Sequence, residues 1–446
     1  MTPLAKVHHC LSNFLPQFEH AAHIYVGYSG GLDSHVLLHS LADFFGESRV
    51  TAIHVNHQMS PNASQWMDHC RNICRDLGVG CVCEDVVVPM VASRENAARE
   101  ARYQVFEQCL EGGDILTLAH HADDQAETVL YRLLRRSGPR GLAGMPVSRK
   151  LGAGTLLRPL LNLNRETLLQ YAQAKGLQWV EDGSNLSCQF DRNFLRHEVV
   201  PQLKFRWPDY AKRIAAAATL CEQAEELNED LARIDLEHMA LRDERRGCSV
   251  EIQPLAALSY GRKTNVLRYL ARLKGFMPPG HRTLDEVINS LLLAQQDRNP
   301  LVVWPDGEWR RFRQRLFLMS ANTTEANIDD AAPDYGQSWS VTKSLSLADG
   351  ATLTAIPVVG GGLGIKASNR LTVSFRHGGE RCRPADRAGS TSLKKLFQEY
   401  GLEPWLRSRV PLLYCDGELA AIGDLCVCEG FQASEGEQGY RLLWRY

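Results

Sequence analysis

The chain has 446 residues, 50 Lys and Arg against 52 Asp and Glu, 44% apolar residues, and no apolar run approaching membrane-spanning length. This excludes a membrane-embedded protein and a bulk polycation, predicts two to four domains each able to bury its own core, and leaves any nucleic-acid contact to local basic patches. Thirteen scattered cysteines, with no secretory leader before them, fit a reducing, cytoplasmic compartment.

Residues 1–20 read as an amphipathic helix containing Leu11, Phe14 and Leu15. The apolar run Ile24-Tyr25-Val26 then leads into Ser29-Gly30-Gly31-Leu32-Asp33-Ser34, and a second apolar series, from His35 to Leu41, has helical spacing. A buried strand ending in a Gly turn, with Ser and Asp at the cap of the next helix, converges several backbone N–H groups on one point. The glycines let the main chain approach an anion closely, and the serine hydroxyls add donors. The string is neither a Walker A loop nor a dinucleotide fingerprint. It resembles the PP-loop of ATP pyrophosphatases, which implies cleavage of ATP between the α and β phosphates and activation of a substrate by adenylation. Without its serines and Asp33, Gly-Gly would be an ordinary strand-to-helix turn.

Strand and helix then alternate: strand 50–55, a helix through Trp66 to Leu77, strand 82–88, helix 95–110, strand 115–118 and helix 123–135. This predicts an α/β fold with a doubly wound, mostly parallel sheet, whose ligands lie at the carboxyl ends of the strands. Polar clusters fall at those ends. His54-Val55-Asn56-His57 follows the second strand, and His120-His121-Ala122-Asp123-Asp124-Gln125-Ala126-Glu127-Thr128 follows the fourth. Asp124 and Glu127, three apart, share a helix face and can hold magnesium or an ammonium group. Helix-dipole complementarity explains Asp123 and could account for Asp124, but not Glu127, which is over a turn inside. His120 is equally well read as a capping or core histidine. His69, Cys70, Cys74, Cys81 and Cys83 suggest a metal, but their spacing favours buried thiols acting as small hydrophobes.

With S-G-G-L-D-S, H-V-N-H, E-N-A-A-R-E-A-R-Y (95–103), H-H-A-D-D-Q-A-E-T, G-L-A-G-M (141–145), R-P-L-L (158–161), W-V-E-D-G-S-N (179–185) and R-N-F-L-R (192–196) in this order, the chain resembles the tRNA(Ile)-lysidine synthetases. Any one block is weak, but their order over nearly two hundred residues is specific. The resemblance implies a ligase that converts the wobble cytidine of a CAU anticodon to lysidine with ATP and L-lysine. The cytosine O2 would attack the α phosphate and release pyrophosphate, and the lysine ε-amine would then displace AMP at C2. Under it, Ser29, Gly30, Gly31, Leu32, Asp33, Ser34, His54, His57, Arg99 and His120 are expected to bind the nucleotide. Asp33 would also meet Mg2+ or orient a reactant. Asp124 and Glu127 are expected to hold the lysine, one of them taking its proton. A cation at the developing phosphorane would come from Arg99, Arg102, Arg192 or Arg196. The catalytic set is thus Asp33, Asp124, Glu127, Arg192 and Arg196. Subunit pairing occurs in the family, so a homodimer is among the expectations, although the sequence carries no evident interface signal.

The loop 181–185 and a basic helix from Arg192 to Leu203 would close over the site in such a family. Arg132, Arg135, Arg136, Arg140, Arg149 and Lys150 could form a phosphate track. Helical spacing recurs over 211–245, with Ile214, Leu220, Ala224, Leu227, Leu231 and Ile234 on one side, and over 263–274 and 283–294. Residues 302–309 form a hairpin whose return strand carries Arg310, Arg311, Arg313 and Arg315. That ribbon suits RNA, or equally protects an exposed edge. Residues 321–339 read as a linker. Between Phe375 and Leu413, eight Lys and Arg stand against four Asp and Glu, and the segment resembles the C-terminal tRNA-contacting domain of the longer lysidine synthetases. The expected plan is a PP-loop catalytic domain (1–212), a small mainly helical tRNA-binding domain (213–320), a linker (321–340) and a small α+β C-terminal domain (341–446). Two rivals remain: a related tRNA modifier that accepts sulfur or ammonia, disfavoured by the absence of any C-x-x-C, and an ATP-responsive RNA-binding protein without catalysis.

Overall fold

A computed structural model describes all residues except 59–61, 89–93, 182–190, 294–299, 322–335, 365–370 and 388. Most of the 181–185 loop and of the expected linker therefore lies outside the described residues. The chain divides into two compact units, Met1–Leu227 and Asn228–Tyr446.

The first unit is built on a six-stranded sheet of order β3-β2-β1-β4-β6-β5. β1 (Ile24–Gly27) pairs in parallel with β2 (Val50–Asn56) and with β4 (Ile115–Thr117), placing Ile24 beside Val50 and Ile115. β3 (Gly80–Asp85) extends one side in parallel, and β6 (Gly154–Leu157) extends the other. β5 (Ser148–Leu151) closes that edge antiparallel. Ile24 and Val26 are inaccessible, as strands covered on both faces require. The β5–β6 hairpin was not expected from the sequence. Its outward positions Ser148, Arg149 and Lys150 are exposed, so its apolar signal rests on a few residues.

Helices α1 (Pro3–Ser12) and α2 (Leu15–His20) replace the single helix expected over 1–20; the chain breaks at Asn13 and Phe14, just before Pro16. α3 (Leu32–Phe45) buries Leu32, Val36, Leu37, Leu38 and Leu41, each contributing about 1.5–3 kcal/mol as an upper estimate. The other crossovers are α4 (Ala63–Asp76), α5 (Arg94–Cys109) and α6 (Ala122–Leu134). Beyond them come α7 (Pro139–Leu142) and α8 (Arg165–Lys175). α9 (Asp191–Phe194) continues through one π-type turn into α10 (Val200–Arg206), and α11 (Tyr210–Glu237) follows. Cys70 and Cys74 are buried, and among the described residues no cluster of three or more His, Cys, Asp or Glu is arranged to hold a metal.

In the second unit, helices α12 (Ile252–Ala257), α13 (Tyr260–Leu273) and α14 (His281–Glu286) pack around a five-stranded sheet of order β7-β8-β11-β10-β9. The expected hairpin is present as β9 (Leu301–Trp304) and β10 (Gly307–Phe312), but β11 (Arg315–Ser320) flanks β10 on its other side. The strand that carries Arg310 and Arg311 is therefore not an exposed edge, and it ends at Phe312, before Arg313 and Arg315. Arg311 is buried and donates to the Leu291 and Leu292 carbonyls, Arg310 pairs with Glu308, and Arg315 donates to Ser249 Oγ and to the Ala240 and Ser249 carbonyls. The C-terminal part carries a second five-stranded sheet, a three-stranded sheet and a short helix, Leu393–Glu399, around one apolar core. No described helix is long and apolar enough to cross a membrane.

Candidate active site

The carboxyl ends of β1 and β4 meet at a cleft of about 1310 Å3, lined by the Gly-rich loop, the start of α6 and residues of α9 to α11. Gly30 has φ +82°, where a side chain is strained, and an added Cβ there would stand 3.0 Å from the Cys70 sulfur. α3 begins at Gly31, which offers no side-chain cap, so its first amides are left for a ligand. Ser29 and Ser34 do not cap the helix as the sequence suggested. Ser34 Oγ lies 3.1 Å from Ser29 Oγ, accepts from Ser29 N and donates to the Gly31 carbonyl, bracing the turn from inside. Val180 N donates to the Gly30 carbonyl and anchors the segment after α8 beside the loop.

His54 lies under this loop. Its Nδ1 stands 2.9 Å from the Tyr28 carbonyl and 3.4 Å from Cys70 Sγ, and burial lowers its pKa. It supports the turn and lies behind the loop. His57 stands farther out, its pKa lowered to about 4 by burial and by the nearby Arg102.

The histidine that organises the centre is His121, to which sequence reasoning assigned no role. It caps α6 reciprocally with Asp124: Asp124 N donates to His121 Nδ1, and His121 N donates to the Asp124 carboxylate. Its Nε2 stands 3.3 Å from Asp124 and 3.7 Å from Asp33, tying α6 to the loop. Burial opposes its protonation, but Asp124, Asp33 and Asp123 outweigh burial and raise its pKa. The residue type hides this role, because histidine is an uncommon N-cap. His120 instead accepts from Arg158 Nε at 3.3 Å, and burial, with Arg158, Arg192 and Arg99 nearby, lowers its pKa to about 3.

Asp124 and Glu127 converge on one guanidinium. Arg196 donates Nε to Glu127 Oε1 at 2.7 Å, and Nη2 to Glu127 Oε2 at 2.8 Å and to Asp124 Oδ1 at 3.1 Å. Arg192 Nε adds a longer ion pair to Glu127 at 3.7 Å. Glu127 is 2% exposed, a depth at which a carboxylate requires a partner. Burial alone would raise the Asp124 pKa; His121, His120, Arg192 and Arg196 hold it below the ordinary value. The same carboxylates raise the pKa of Arg196 despite its burial. Asp123 accepts from Tyr210 Oη and Arg165 N, so it fastens α11 and α8 to this corner. Tyr210 and Arg165 carried no signal of their own in the sequence.

The cleft thus has an acidic wall of Asp33, Asp124 and Glu127, able to receive an organic cation. Arg99, Arg158 and Arg192 do not line the cleft, but they stand close enough to shift His120, and Arg99 and Arg192 to shift Arg132. Within the expected phosphate track, Arg132 serves structure, donating to the Gly141 and Gly144 carbonyls. Among the described residues Asp33 Oδ1 is buried without a hydrogen-bond partner, an unmet acceptor that a cation would satisfy.

A PP-loop domain model matches residues 3–203, a TilS substrate binding domain matches 251–317 and a TilS substrate C-terminal domain matches 371–444. A tRNA(Ile)-lysidine synthase of Coxiella burnetii is 39% identical over 439 residues, covering 97% of this chain and 95% of the relative. One from Alkalilimnicola ehrlichii is 40% identical over 427 residues, covering 94% and 92%. One from Legionella pneumophila, strain Lens, is 38% identical over 408 residues, covering 91% and 92%.

Proposed function

Because the chain belongs to the tRNA(Ile)-lysidine synthase family and so forms lysidine on tRNA(Ile), we propose that the Gly-rich loop and the acidic wall of its cleft divide the reaction between them. The Gly-rich loop and the free amides of α3 grip the ATP phosphates. The wobble cytosine O2 of the CAU anticodon attacks the α phosphorus, and the bond to pyrophosphate breaks. L-lysine then uses its ε-amine nitrogen to attack C2, and AMP leaves with the former O2. One of Asp124 and Glu127 accepts the proton released as that amine becomes a nucleophile. Arg192 and Arg196, which reach the Asp124–Glu127 pair, are the cations that stabilise the developing phosphorane charge.

The observation that carries this reading is the buried Asp124–Glu127 pair closed on a guanidinium, a site built for an organic cation. Arg196 holds the place of the lysine ammonium and yields or shares it when lysine enters. Magnesium fits as well, since it is commonly held by one or two carboxylates together with substrate phosphates. The unmet Asp33 oxygen is the protein's ligand for it, and the ion supplies charge neutralisation at the phosphates.

A homodimer is also part of this reading. α11 carries Ala217, Leu220, Ala224, Leu227, Leu231 and Ile234 at alternating spacings of three and four, and Leu220 and Leu227 are 67% and 70% exposed. Sedimentation of the purified chain and of Leu227→Glu tests it; monomeric wild type rejects it. Action on tRNA points to the cytoplasm as its compartment. The reaction itself is tested with CAU-bearing tRNA(Ile), ATP, magnesium and labelled lysine. Label should enter the tRNA, and pyrophosphate and AMP should appear in equal amounts. Nucleotide consumption that requires a sulfur donor instead of lysine would overturn the assignment.

A further inference from the structure

Outside the main cleft, a smaller cavity of about 410 Å3 opens between α5 and the edge strand β5. Its floor is the Tyr103 ring. The Arg99 guanidinium lies 5.2 Å from the ring centroid and the Arg149 guanidinium 5.1 Å from it. Arg99 comes from one turn earlier on α5, the spacing that stacks side chains on a helix. Arg149 comes from an outward position of β5. Two like charges thus share one aromatic ring, although among the described residues neither is ion-paired, and Glu100 is the cavity's only acid. Packing alone gives no reason to gather them, because each cation–π contact contributes about 0.5–1 kcal/mol at an exposed site and the like charges oppose it.

Among the described residues the buried Tyr103 hydroxyl has no well-formed hydrogen-bond partner. Burial raises its pKa, but Arg99, Arg158 and Arg149 outweigh that and bring the pKa below the ordinary value. Arg149 spends one donor on the Lys150 carbonyl, and the remaining guanidinium N–H groups beside the phenol are a donor set for oxygens carrying delocalised negative charge. The set also connects inward. Arg158, which contributes to the lowered Tyr103 pKa, donates to His120, the neighbour of the His121 that caps α6, and so links this cavity to the start of that helix.

Resting on the lysidine-forming reading above, we infer that Arg99, Tyr103 and Arg149 form a phosphate subsite beside the catalytic cleft, seating a backbone phosphate of the tRNA while its wobble base is in the centre. Arg149 and Tyr103 are positioning residues; they touch the substrate's backbone and leave the reacting atoms to the cleft. Pyrophosphate released by the first step carries the same oxygens and is the other source of such a ligand.

The test uses the full chain with Arg149→Ala, an exposed site where folding is not at risk, and Tyr103→Phe. Filter binding of CAU-bearing tRNA(Ile) transcript is followed from about 50 to 200 mM salt, with inorganic pyrophosphate inhibition measured in parallel. For a backbone phosphate, Arg149→Ala should weaken tRNA binding roughly 5- to 10-fold and lower the salt slope by about one. Tyr103→Phe should weaken it about 3-fold, and KM for tRNA should rise more than KM for ATP. If the pyrophosphate inhibition constant rises while tRNA binding holds, the subsite stands with the released product as its ligand. If neither affinity moves in Arg149→Ala, the subsite is overturned even though wild type makes lysidine. A wild type that binds tRNA normally yet makes no lysidine sinks the catalytic reading instead.

Discussion

Replacing Glu127 with Gln keeps the side chain's shape and removes its charge. Two of the three hydrogen bonds that hold Arg196 end on Glu127, at 2.7 and 2.8 Å, and both are charge-assisted. A neutral amide retains one acceptor. If the lysine ammonium uses the same oxygens, it loses a contact of about 1.5–3 kcal/mol. At about 1.4 kcal/mol per factor of ten, KM for lysine should rise roughly 10- to 100-fold. Stability should fall less than the roughly 3–5 kcal/mol typical of a broken buried pair, since Arg196 is partly exposed and keeps Asp124; about 1–2 kcal/mol is expected. The assay is steady-state lysidine formation with lysine varied at saturating ATP, then ATP varied at saturating lysine. Formation of adenylated tRNA without lysine should stay within about 3-fold. A lysine KM equal to wild type, or equal losses in lysine and ATP use, would refute the placement of lysine on this pair.

Asp33→Ala removes the unmet oxygen facing the loop, so adenylation of tRNA should fall by at least about 100-fold while filter-binding affinity for tRNA stays within about 2-fold; near-normal adenylation rejects its role. Arg311→Met strands the Leu291 and Leu292 carbonyls and should cost about 2–4 kcal/mol in urea unfolding with tRNA affinity preserved, whereas weakened tRNA binding at unchanged stability would restore the RNA-ribbon reading. His57 and His120 have folded-state pKa values lowered to about 4 and about 3, below an unfolded value of about 6.5. The stability they contribute is present above pH 6.5 and is lost as pH falls toward those folded values, because the unfolded chain takes up their protons first. Each should lose on the order of 1 kcal/mol between pH 7 and 5 after discounting partial exposure, and His57→Gln should flatten that part of the stability–pH curve; an unchanged slope removes His57 from the account.

The cleft was legible wherever its signal is local. Ser29 to Ser34 specify a strand, a tight turn and a helix within a dozen residues, and Asp124 and Glu127 share a face by helical spacing alone. Other parts were not legible because they rest on pairings remote in the chain. Arg196 meets Glu127 across 69 positions, Tyr210 meets Asp123 across 87, and Arg158 reaches His120 across 38. From sequence, Arg192, Arg196, Arg99 and Arg102 were equal candidates for a catalytic cation. The fold separates them by what each touches: Arg196 grips the carboxylates and Arg99 covers Tyr103. The exposed-edge alternative for the arginines of residues 310–315 failed for a related reason, since alternation does not reveal whether a neighbouring strand covers the outer side.

By itself the sequence determined the nucleotide loop, the alternating α/β order of the first unit, and, through the succession of short motifs, the family and its chemistry. The loop and the α/β order follow from backbone propensity, glycine freedom and periodicity, which act between near neighbours, whereas the family and its chemistry follow from the resemblance of the ordered motifs. Only the tertiary structure decided that His121 and not His120 ties the loop to the carboxylates, that His54 lies behind the loop, and that Arg196 bridges Asp124 and Glu127. The reason is the range of the forces involved. Burial and ion pairing depend on which distant segments the sheet brings together, and a carboxylate's role changes with the charge placed 3 Å away.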